Sequence, residues 1–324
     1  GRVRRSVVIV GGGPAGLSAA RVLVAAGLRD VLVLERNPEA GGVPRFCGHR
    51  GWGMLDHGRA WTGPRYAARL VQLAAGAEIR TNASVLALHP GGGLEVSTPA
   101  GVERISARAV LLATGTRETP RAARLLPGTR PWGVLNTGAF QEMVHAGGMV
   151  PFRRPAIIGS ELVGFSALLT ARHGGIRPVA MVEEGARVAA PWPAALVARL
   201  AFGVKLLAGV RILGIEGGAR VEALRIAHGG REQAIPCDGV VVSGRFLPDA
   251  AFARASHLGM DEATGGPAVG AGWQCTDPAF FAAGNILLPA RHSGAVAREG
   301  MAAARAILHA LGGDAGTSPR RASP

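Results

Sequence analysis

The residues most able to do chemistry form a glycine-rich turn near the start of the chain. Gly11, Gly13 and Gly16 follow a short apolar run and precede an Ala- and Leu-rich segment; a second apolar run then ends at Glu35. Strand, Gly-x-Gly-x-x-Gly, helix, strand and acid in this order are typical of a dinucleotide site. The glycines let the backbone approach a pyrophosphate, the helix N-terminus faces it, and the carboxylate accepts hydrogen bonds from ribose hydroxyls.

The same pattern recurs in the second half of the chain. Gly11 lies 24 positions before Glu35 (35 − 11), and Gly159 lies 24 positions before Glu183 (183 − 159). Each spacing encloses one helix-like segment between two apolar runs. Two copies of one folding unit are the simplest explanation of this repeat.

The second copy differs at its middle position, where Glu161 replaces the glycine. Two charges about 4 Å apart at an effective dielectric near 20 repel by roughly 4 kcal/mol, on the order of a thousandfold in affinity for a phosphate, if Glu161 is ionised and points inward. Glu183 favours NADH over NADPH because it repels a 2′-phosphate. We therefore expect Gly159, Ser160, Glu161 and Glu183 to form a degenerate nicotinamide site, or a site for another ligand such as an adenine nucleotide.

Further apolar strands position these loops. Each half contains another apolar run that ends in a turn, Thr114-Gly115 in the first half and Ser243-Gly244 in the second. Short strand-like segments precede these turns, at 84–88, 94–97, 102–105 and 109–113 in the first half and at 210–215, 221–226, 232–235 and 239–242 in the second. The predicted fold class is α/β, with two Rossmann-like (FAD/NAD(P)-binding) domains that each carry a small antiparallel β-meander insertion.

The domain boundaries follow from the repeat. We expect a discontinuous first domain of residues 1–120 plus 248–315, which ends in a long Ala-rich helix from about residue 294 to 311. The second domain is expected at 121–247. Residues 316–324 are rich in Gly, Ser, Pro and Arg, and predict a flexible tail.

Composition excludes several classes of protein. The chain of 324 residues carries a net charge of +14 (36 − 22), almost all of the basic residues being arginine. The arginines are scattered and aromatic residues are only 5% of the chain, so we expect a solvated Arg-rich surface rather than nucleic-acid binding. An acidic ligand or an acidic partner protein remains an alternative. The sequence contains no uninterrupted apolar run that is long enough to predict a transmembrane segment.

Three widely spaced cysteines, Cys47, Cys237 and Cys275, form no Cys-x-x-Cys motif. This spacing argues against a disulfide scaffold and against a metal site of the zinc or iron–sulfur kind. A reducing, cytoplasmic compartment is expected.

Four motifs carry a resemblance to a known superfamily over essentially the whole chain. They are GGGPAG with Glu35, LLATGTRETP at 111–120, GSELVG at 159–164 and TDPAFFAAGN at 276–285. The chain resembles the two-dinucleotide-binding-domain flavoproteins of the pyridine nucleotide–disulfide oxidoreductase superfamily, in the thioredoxin-reductase-like form. With GGVPRFCGH at 41–49, it looks most like the FAD subunits of the opine oxidase, dye-linked proline dehydrogenase and hydrogen cyanide synthase type.

The resemblance implies that FAD occupies the first site, whereas NAD(P)H is a doubtful cofactor. Asn285 stands where the superfamily usually has an aspartate near the ribityl and phosphate groups. The implied FAD-binding residues are Gly11, Gly13, Pro14, Ala15, Gly16, Glu35, Arg36, Gly42, Val85, Ala113, Thr114, Gly115, Gly284, Asn285, Ser293 and Gly294.

No catalytic residue can be assigned, but Cys47, His49 and His292 are candidates near the flavin. Cys47 lacks the second cysteine that an internal dithiol requires. With Arg45 and His49 it forms either a substrate- or partner-facing group or a polar loop around a packed cysteine, and we favour the loop. The resemblance directs the helix that starts at Ser293 toward the pyrimidine side of the flavin, where His292 either assists or is an ordinary loop histidine.

The resulting expectation is an FAD-dependent oxidoreductase that is a subunit of an acceptor-dependent dehydrogenase or oxidase. The resemblance implies a small-molecule substrate, namely an amine, an opine, an imino acid or a polyol phosphate. It also implies other flavoprotein or cysteine-rich subunits in an oligomer, with any cluster-mediated electron transfer left to another subunit. Two alternatives are a self-contained NADH-dependent flavin reductase and a non-catalytic, nucleotide-bound assembly subunit.

Overall fold

A computed structural model describes residues 4–313 of the chain, which form two units. The first unit comprises the chain up to Arg45, Arg50–Arg117 and the chain from Leu247 onward. The second unit comprises Phe46–His49 and Glu118–Phe246. The expected flexible tail at 316–324 lies outside the described residues.

The helices and strands follow one another in three stretches. The first stretch contains β1 (Arg5–Val10), α1 (Pro14–Ala25), β2 (Val31–Leu34), β3 (Arg50–Trp52), α2 (Met54–His57), β4 (Trp61–Thr62), α3 (Gly63–Leu73), β5 (Glu78–Arg80), β6 (Ser84–His89), β7 (Gly93–Thr98), β8 (Gly101–Leu112) and β9 (Thr116–Glu118). The second contains β10 (Val134–Asn136), α4 (Thr137–Gln141), β11 (Pro155–Ile158), α5 (Leu162–His173), β12 (Ala180–Glu183), α6 (Ala194–Phe202), β13 (Lys205–Ala208), β14 (Arg211–Glu216), β15 (Ala223–His228), β16 (Arg231–Pro236) and β17 (Gly239–Val242). The third contains β18 (Phe246–Pro248), α7 (Ala251–Arg254), β19 (Phe280–Ala282) and α8 (Ser293–Gly313).

A parallel sheet in the order β5-β2-β1-β8-β19 forms the centre of the first unit. Val8 of β1 pairs with Leu32 of β2 on one side and with Val110 of β8 on the other. These strands are apolar along their length because both faces of the sheet are covered, and a separate hydrophobic cluster lies on each face. The sheet therefore presents the carboxyl ends of β1 and β2, with their loops, at one edge, which is where open α/β sheets bind ligands.

Strand β8 corrects one sequence expectation. The sequence predicts separate strands at 102–105 and 109–113, but one strand of 12 residues runs through both. Its first half pairs antiparallel with β7, and its second half pairs parallel with β1. Ala107 lies where the two halves meet; it is buried, and its N–H donates to the Gly92 carbonyl at 2.9 Å. The chain therefore stays extended through the polar residues on either side of Ala107.

The second unit repeats this plan. A parallel sheet in the order β13-β12-β11-β17-β10 lies beside a three-stranded antiparallel meander, β14-β15-β16. The first unit carries the equivalent meander as β6-β7-β8. The predicted fold class, two Rossmann-like domains with meander insertions, is confirmed.

The described helices give no sign of a membrane span: between residues 4 and 313, none is both long enough and apolar enough to cross a bilayer.

Candidate functional site

The first glycine-rich loop connects β1 to α1 with a backbone that only glycine fits at two positions. Gly11 has φ +112°, and a Cβ atom there would overlap the carbonyl group of Ala113. A Cβ atom at Gly16 would overlap the Gly11 carbonyl oxygen. The strand, the turn and the first helical turn are therefore in direct backbone contact, as a close phosphate approach requires.

The middle glycine of this loop borders open space. A Cβ atom at Gly13 would meet only the Cα atom of Gly42, at 3.8 Å. Gly13 caps α1, Pro14 occupies the first helical turn, and that turn contains no acidic residue. The first N–H groups of a helix have no partner within the helix and carry the positive end of its dipole. The loop therefore fits the pyrophosphate of a dinucleotide such as FAD.

Glu35 lies at the end of β2 and is almost fully buried. Its Oε2 accepts the N–H of Gly12 at 2.9 Å, and its Oε1 accepts the N–H of Asn37 at 2.8 Å. These two bonds fix the carboxylate against the loop and leave one lone pair on each oxygen for a further donor, such as a ribose hydroxyl. The next residue, Arg36, ion-pairs with Asp249 at 2.6 Å.

The turn after β8 is tied to the same segment. The hydroxyl of Thr114 donates to the carbonyl of Asp249 at 2.7 Å, and the N–H of Asp249 donates to the carbonyl of Gly115 at 2.9 Å. Ala113 is buried at the start of this turn. Val85 is farther along the chain on β6 and packs on the hydrophobic cluster of one sheet face.

Asn285 fixes the loop that leads into α8. Its amide donates to the carbonyl of Arg291 and accepts the N–H of the same residue, both at 3.1 Å. The Arg291 guanidinium donates to the Gly284 carbonyl at 2.7 Å and pairs with Glu299. A Cβ atom at Gly284 would lie 2.9 Å from that of Ala15, so this loop packs tightly against the start of α1.

His292 caps the first turn of α8. Its Nδ1 accepts the N–H of Gly294 at 3.1 Å, which places the proton of the neutral ring on Nε2. The ring stacks on Trp52 with a centroid distance of 6.5 Å, and Ser293 is buried behind it.

Sequence analysis missed the polar pair Asp56 and Tyr66, which lies next to this helix. The fully buried Tyr66 donates its hydroxyl to Asp56 Oδ2 at 2.6 Å, and burial together with this carboxylate raises the pKa of the phenol. Asp56 Oδ1 lies 3.2 Å from where a Cβ atom of Gly294 would be. In the sequence, Asp56 stands out only as the single acidic residue between Glu39 and Glu78.

The second glycine-rich loop reproduces the hydrogen bonds of the first. Gly159 has φ +110°, and the N–H and hydroxyl of Ser160 donate to Glu183 Oε2 at 3.0 and 2.5 Å. The N–H of Gly185 donates to Glu183 Oε1 at 2.8 Å. Glu183 thus holds the second loop as Glu35 holds the first.

Glu161 turns its carboxylate into this second loop. Its Oε1 accepts the hydroxyl proton of Ser243. Its Oε2 lies 2.9 Å from where a Cβ atom of Gly159 would be, and the carboxyl group lies 3.1 Å from the equivalent position of Gly244. The carboxylate therefore lies against the Gly159 turn and the turn after β17.

Two arginines next to this loop are already engaged. Arg124 donates to the carbonyl of Ser243 at 2.5 Å, and its other nitrogen lies 3.7 Å from Glu184. Arg245 lies 3.6 Å from the same carboxylate. Burial lowers the pKa of Arg124, and the charge of Arg245 adds to this effect.

The predicted group of Arg45, Cys47 and His49 spans the division of the chain into two units. Arg45 belongs to the first unit and pairs with Glu39 at 2.6 Å, whereas Cys47 and His49 belong to the second. The buried Cys47 thiol donates to Gln141 Oε1 at 3.6 Å, and burial raises its pKa to about 12. Cys47 is therefore a packed, protonated thiol.

Among residues 4–313, no three His, Cys, Asp or Glu side chains lie close enough together to hold a metal ion.

Comparison with known proteins identifies relatives among oxidase subunits. The alpha subunit of sarcosine oxidase from Rhizobium meliloti (strain 1021) is 27% identical over 334 residues, covering 94% of this chain and 30% of that protein. An opine oxidase subunit from the same strain is 28% identical over 274 residues, covering 79% of this chain and 56% of that protein. The chain thus spans only part of the length of both relatives.

Solved structures share the fold. The thioredoxin reductase of T. acidophilum superposes with a TM-score of 0.78 at 20% identity, covering 94% of this chain and 97% of that one. The L-proline dehydrogenase of P. horikoshii gives a TM-score of 0.69 at 21% identity, covering 96% of this chain and 56% of that one. The model of the pyridine nucleotide-disulphide oxidoreductase family matches residues 5–310. The chain therefore belongs to this family and is an FAD-dependent oxidoreductase.

Proposed function

We propose that the chain is the FAD-bearing subunit of an acceptor-dependent dehydrogenase or oxidase whose electrons do not come from NAD(P)H. Its substrate class is a small amine, an opine, an imino acid or a polyol phosphate. The names of the relatives, sarcosine oxidase and opine oxidase subunits, support a substrate in which a carbon–nitrogen bond is oxidised.

The difference between the two glycine-rich loops carries this proposal. At the first loop, Gly13 leaves the start of α1 open and no acid lies in its first turn. At the second loop, Glu161 occupies the same position and its carboxylate accepts a hydrogen bond from Ser243. A nicotinamide dinucleotide would have to displace this side chain and place its pyrophosphate beside a negative charge.

FAD supplies the electron-pair chemistry when it is bound. The chain binds it through the N–H groups at the start of α1 and through the fixed Glu35 carboxylate. Asn285 and His292 hold the loop and the first turn that present α8. We assign FAD binding to the first unit and a degenerate nicotinamide site to the second.

In this proposal, a partner subunit takes part in the electron transfer. Both relatives are named as subunits. We therefore place this chain in an oligomer with another flavoprotein subunit or a cysteine-rich subunit. Such a partner would deliver the electrons or pass them to the final acceptor.

The direct test is equilibrium binding of NADH to the FAD-loaded chain and to two variants. Glu161→Gly removes both charge and volume, and we expect it to bind NADH on the order of a thousandfold more tightly than the unmodified chain. Glu161→Gln removes the charge but keeps the volume, so we expect it to recover only part of this gain. Micromolar binding of NADH by the unmodified chain would overturn the proposal.

A further inference from the structure

A groove of about 800 Å³ lies on the outer face of α3 in the first unit. We call it the arginine groove, and it is lined by Arg59, Arg65 and Arg69 together with His57, Trp61 and Ala68. Positions 65, 68 and 69 are exposed and lie on one helical face, because residues three and four apart are neighbours on a helix. Neither glycine-rich loop contributes to this groove.

The three arginines of the groove lack the carboxylate partner that some other arginines of the same unit have. Within residues 4–313, none of the three forms an ion pair with a carboxylate. Six other arginines of this unit do form such pairs, namely Arg5, Arg36, Arg45, Arg80, Arg104 and Arg291.

The nearest carboxylate in sequence, Asp56, lies 3.6 Å from the Nε2 atom of His57, which lines the groove, rather than against an arginine. Asp56 is bonded to Tyr66, and its side chain is only 3% exposed. Arg65 and Arg69 lie four positions apart on one helix face, where like charges repel one another. The three guanidinium groups therefore concentrate positive charge in the groove.

The walls of the groove hold their side chains in place. Trp61 lies between His57, at a ring distance of 5.3 Å, and the Arg65 guanidinium, at 5.9 Å from its centroid. Arg69 donates to the side-chain carbonyl of Gln72 at 2.7 Å. Ala68 has a small side chain between the two arginines and leaves room for a ligand. These contacts already restrict the conformational freedom of the side chains, so less conformational entropy is lost when a ligand binds.

We propose that the arginine groove is a binding site for a small, multiply charged oxyanion, of the diphosphate or tricarboxylate class. Guanidinium groups bind phosphate and carboxylate oxygens through two parallel hydrogen bonds, and three of them here surround one concave surface. The volume lies within the usual range of about 300–1,000 Å³ for small-molecule sites. This site does not depend on the electron source proposed above.

Calorimetric titration of the FAD-loaded chain with pyrophosphate, and separately with citrate, tests this site. FAD loading keeps the first glycine-rich loop filled. We expect the double variant Arg65→Gln/Arg69→Gln to weaken binding of the preferred anion by at least about tenfold. The matched control Arg21→Gln/Arg29→Gln changes the net charge equally at two exposed positions outside the groove, and we expect an affinity within about twofold of the unmodified chain.

The relative affinities for the two probes distinguish a phosphate ligand from a carboxylate ligand. Equal weakening in both double variants would show general charge attraction and overturn the proposal. Absence of binding to either anion up to about 10 mM would also overturn it. Binding of polyglutamate but of neither small anion would instead indicate a docking surface for an acidic protein, which contradicts a small-molecule site.

Discussion

Cys47 lies buried beside Gln141, and burial raises its thiol pKa to about 12. At pH 8 only about one such thiol in ten thousand is a thiolate, which is the reactive form. The pKa values of Cys237 and Cys275 are raised to about 11 and about 12 for the same reason. We expect all three thiols to resist alkylation by iodoacetamide in the native protein and to react fully in urea.

A substitution separates this packing role from a catalytic one. Cys47→Ser is expected to retain the rate of flavin reduction by the physiological reductant within about twofold, because a protonated thiol offers no nucleophile. Rapid, stoichiometric labelling of Cys47 in the native protein, or loss of reduction in this variant, would contradict the structural assignment.

Asp277 connects distant segments of the first unit. Its carboxylate accepts N–H groups from Gly91 and Ala279, each at 2.9 Å, and contacts His257 at 2.8 Å. Burial acts to raise its pKa, but these three donors lower it overall. A carboxyl group whose pKa is lower in the folded state stabilises the protein above its unfolded pKa, and this contribution disappears as the pH falls through the folded value.

We therefore expect Asp277→Asn to destabilise the chain by about 1–3 kcal/mol at pH 7. The difference should shrink as the pH falls below about 4, the ordinary carboxyl pKa, because the unfolded chain then binds a proton that the folded chain does not yet bind. Thermal unfolding as a function of pH measures this difference. His257→Gln keeps both backbone bonds of Asp277 and should lose less stability. An undiminished difference at pH 3 would show that charge is not the cause.

At the scale of elements, the turn from β1 into α1 depends on Gly11. Gly27 follows α1 and also has positive φ, +90°, but open space surrounds it. Gly27→Ala should therefore cost only the strain of this backbone conformation, about 1–2 kcal/mol, and keep FAD affinity. Gly11→Ala would force its methyl group into the Ala113 carbonyl, so we expect at least about a hundredfold loss of FAD affinity, equivalent to about 2.7 kcal/mol.

Titration of each variant with FAD, followed by flavin fluorescence, measures this contrast. Circular dichroism reports whether each variant remains folded. Equal FAD affinity in the two variants would contradict the role assigned to the Gly11 turn.

The elements near the glycine-rich loops were predictable because local patterns determine them. Apolar strand, glycine turn, helix and acid appear at the same spacing in both halves, and the strand at 239–242 has the predicted bounds. The continuity of β8 was not predictable, since it depends on pairing with β7 and β1 on opposite sides.

The residues of the candidate site also divide into those that the sequence predicts and those that it does not. Gly11, Gly16 and Glu35 have sequence signatures because backbone geometry and strand-end chemistry require those residue types. Asp56 and Tyr66 have no such signature, since only tertiary packing brings the carboxylate to the phenol. The inward direction of the Glu161 side chain likewise depends on Ser243, which is 82 positions away in the chain.

At the scale of the whole molecule, one folding unit appears twice with different residues at the middle position of its glycine-rich loop. The first copy has an open helix start, and the second has a carboxylate at the equivalent position. Our proposal that the second copy no longer binds a nicotinamide dinucleotide is compatible with its intact architecture, because strand pairing and core packing do not require the bound nucleotide. The second unit retains a complete parallel sheet and two buried clusters.

The absorption spectrum of the FAD-loaded chain under anaerobic conditions, recorded before and after addition of NADH, tests the central claim most directly. We expect the flavin band to persist with NADH and to bleach when a secondary amino acid substrate or the reduced partner protein is added. Rapid bleaching by NADH alone would mean that the second unit binds and uses the nicotinamide despite Glu161, and it would contradict this account.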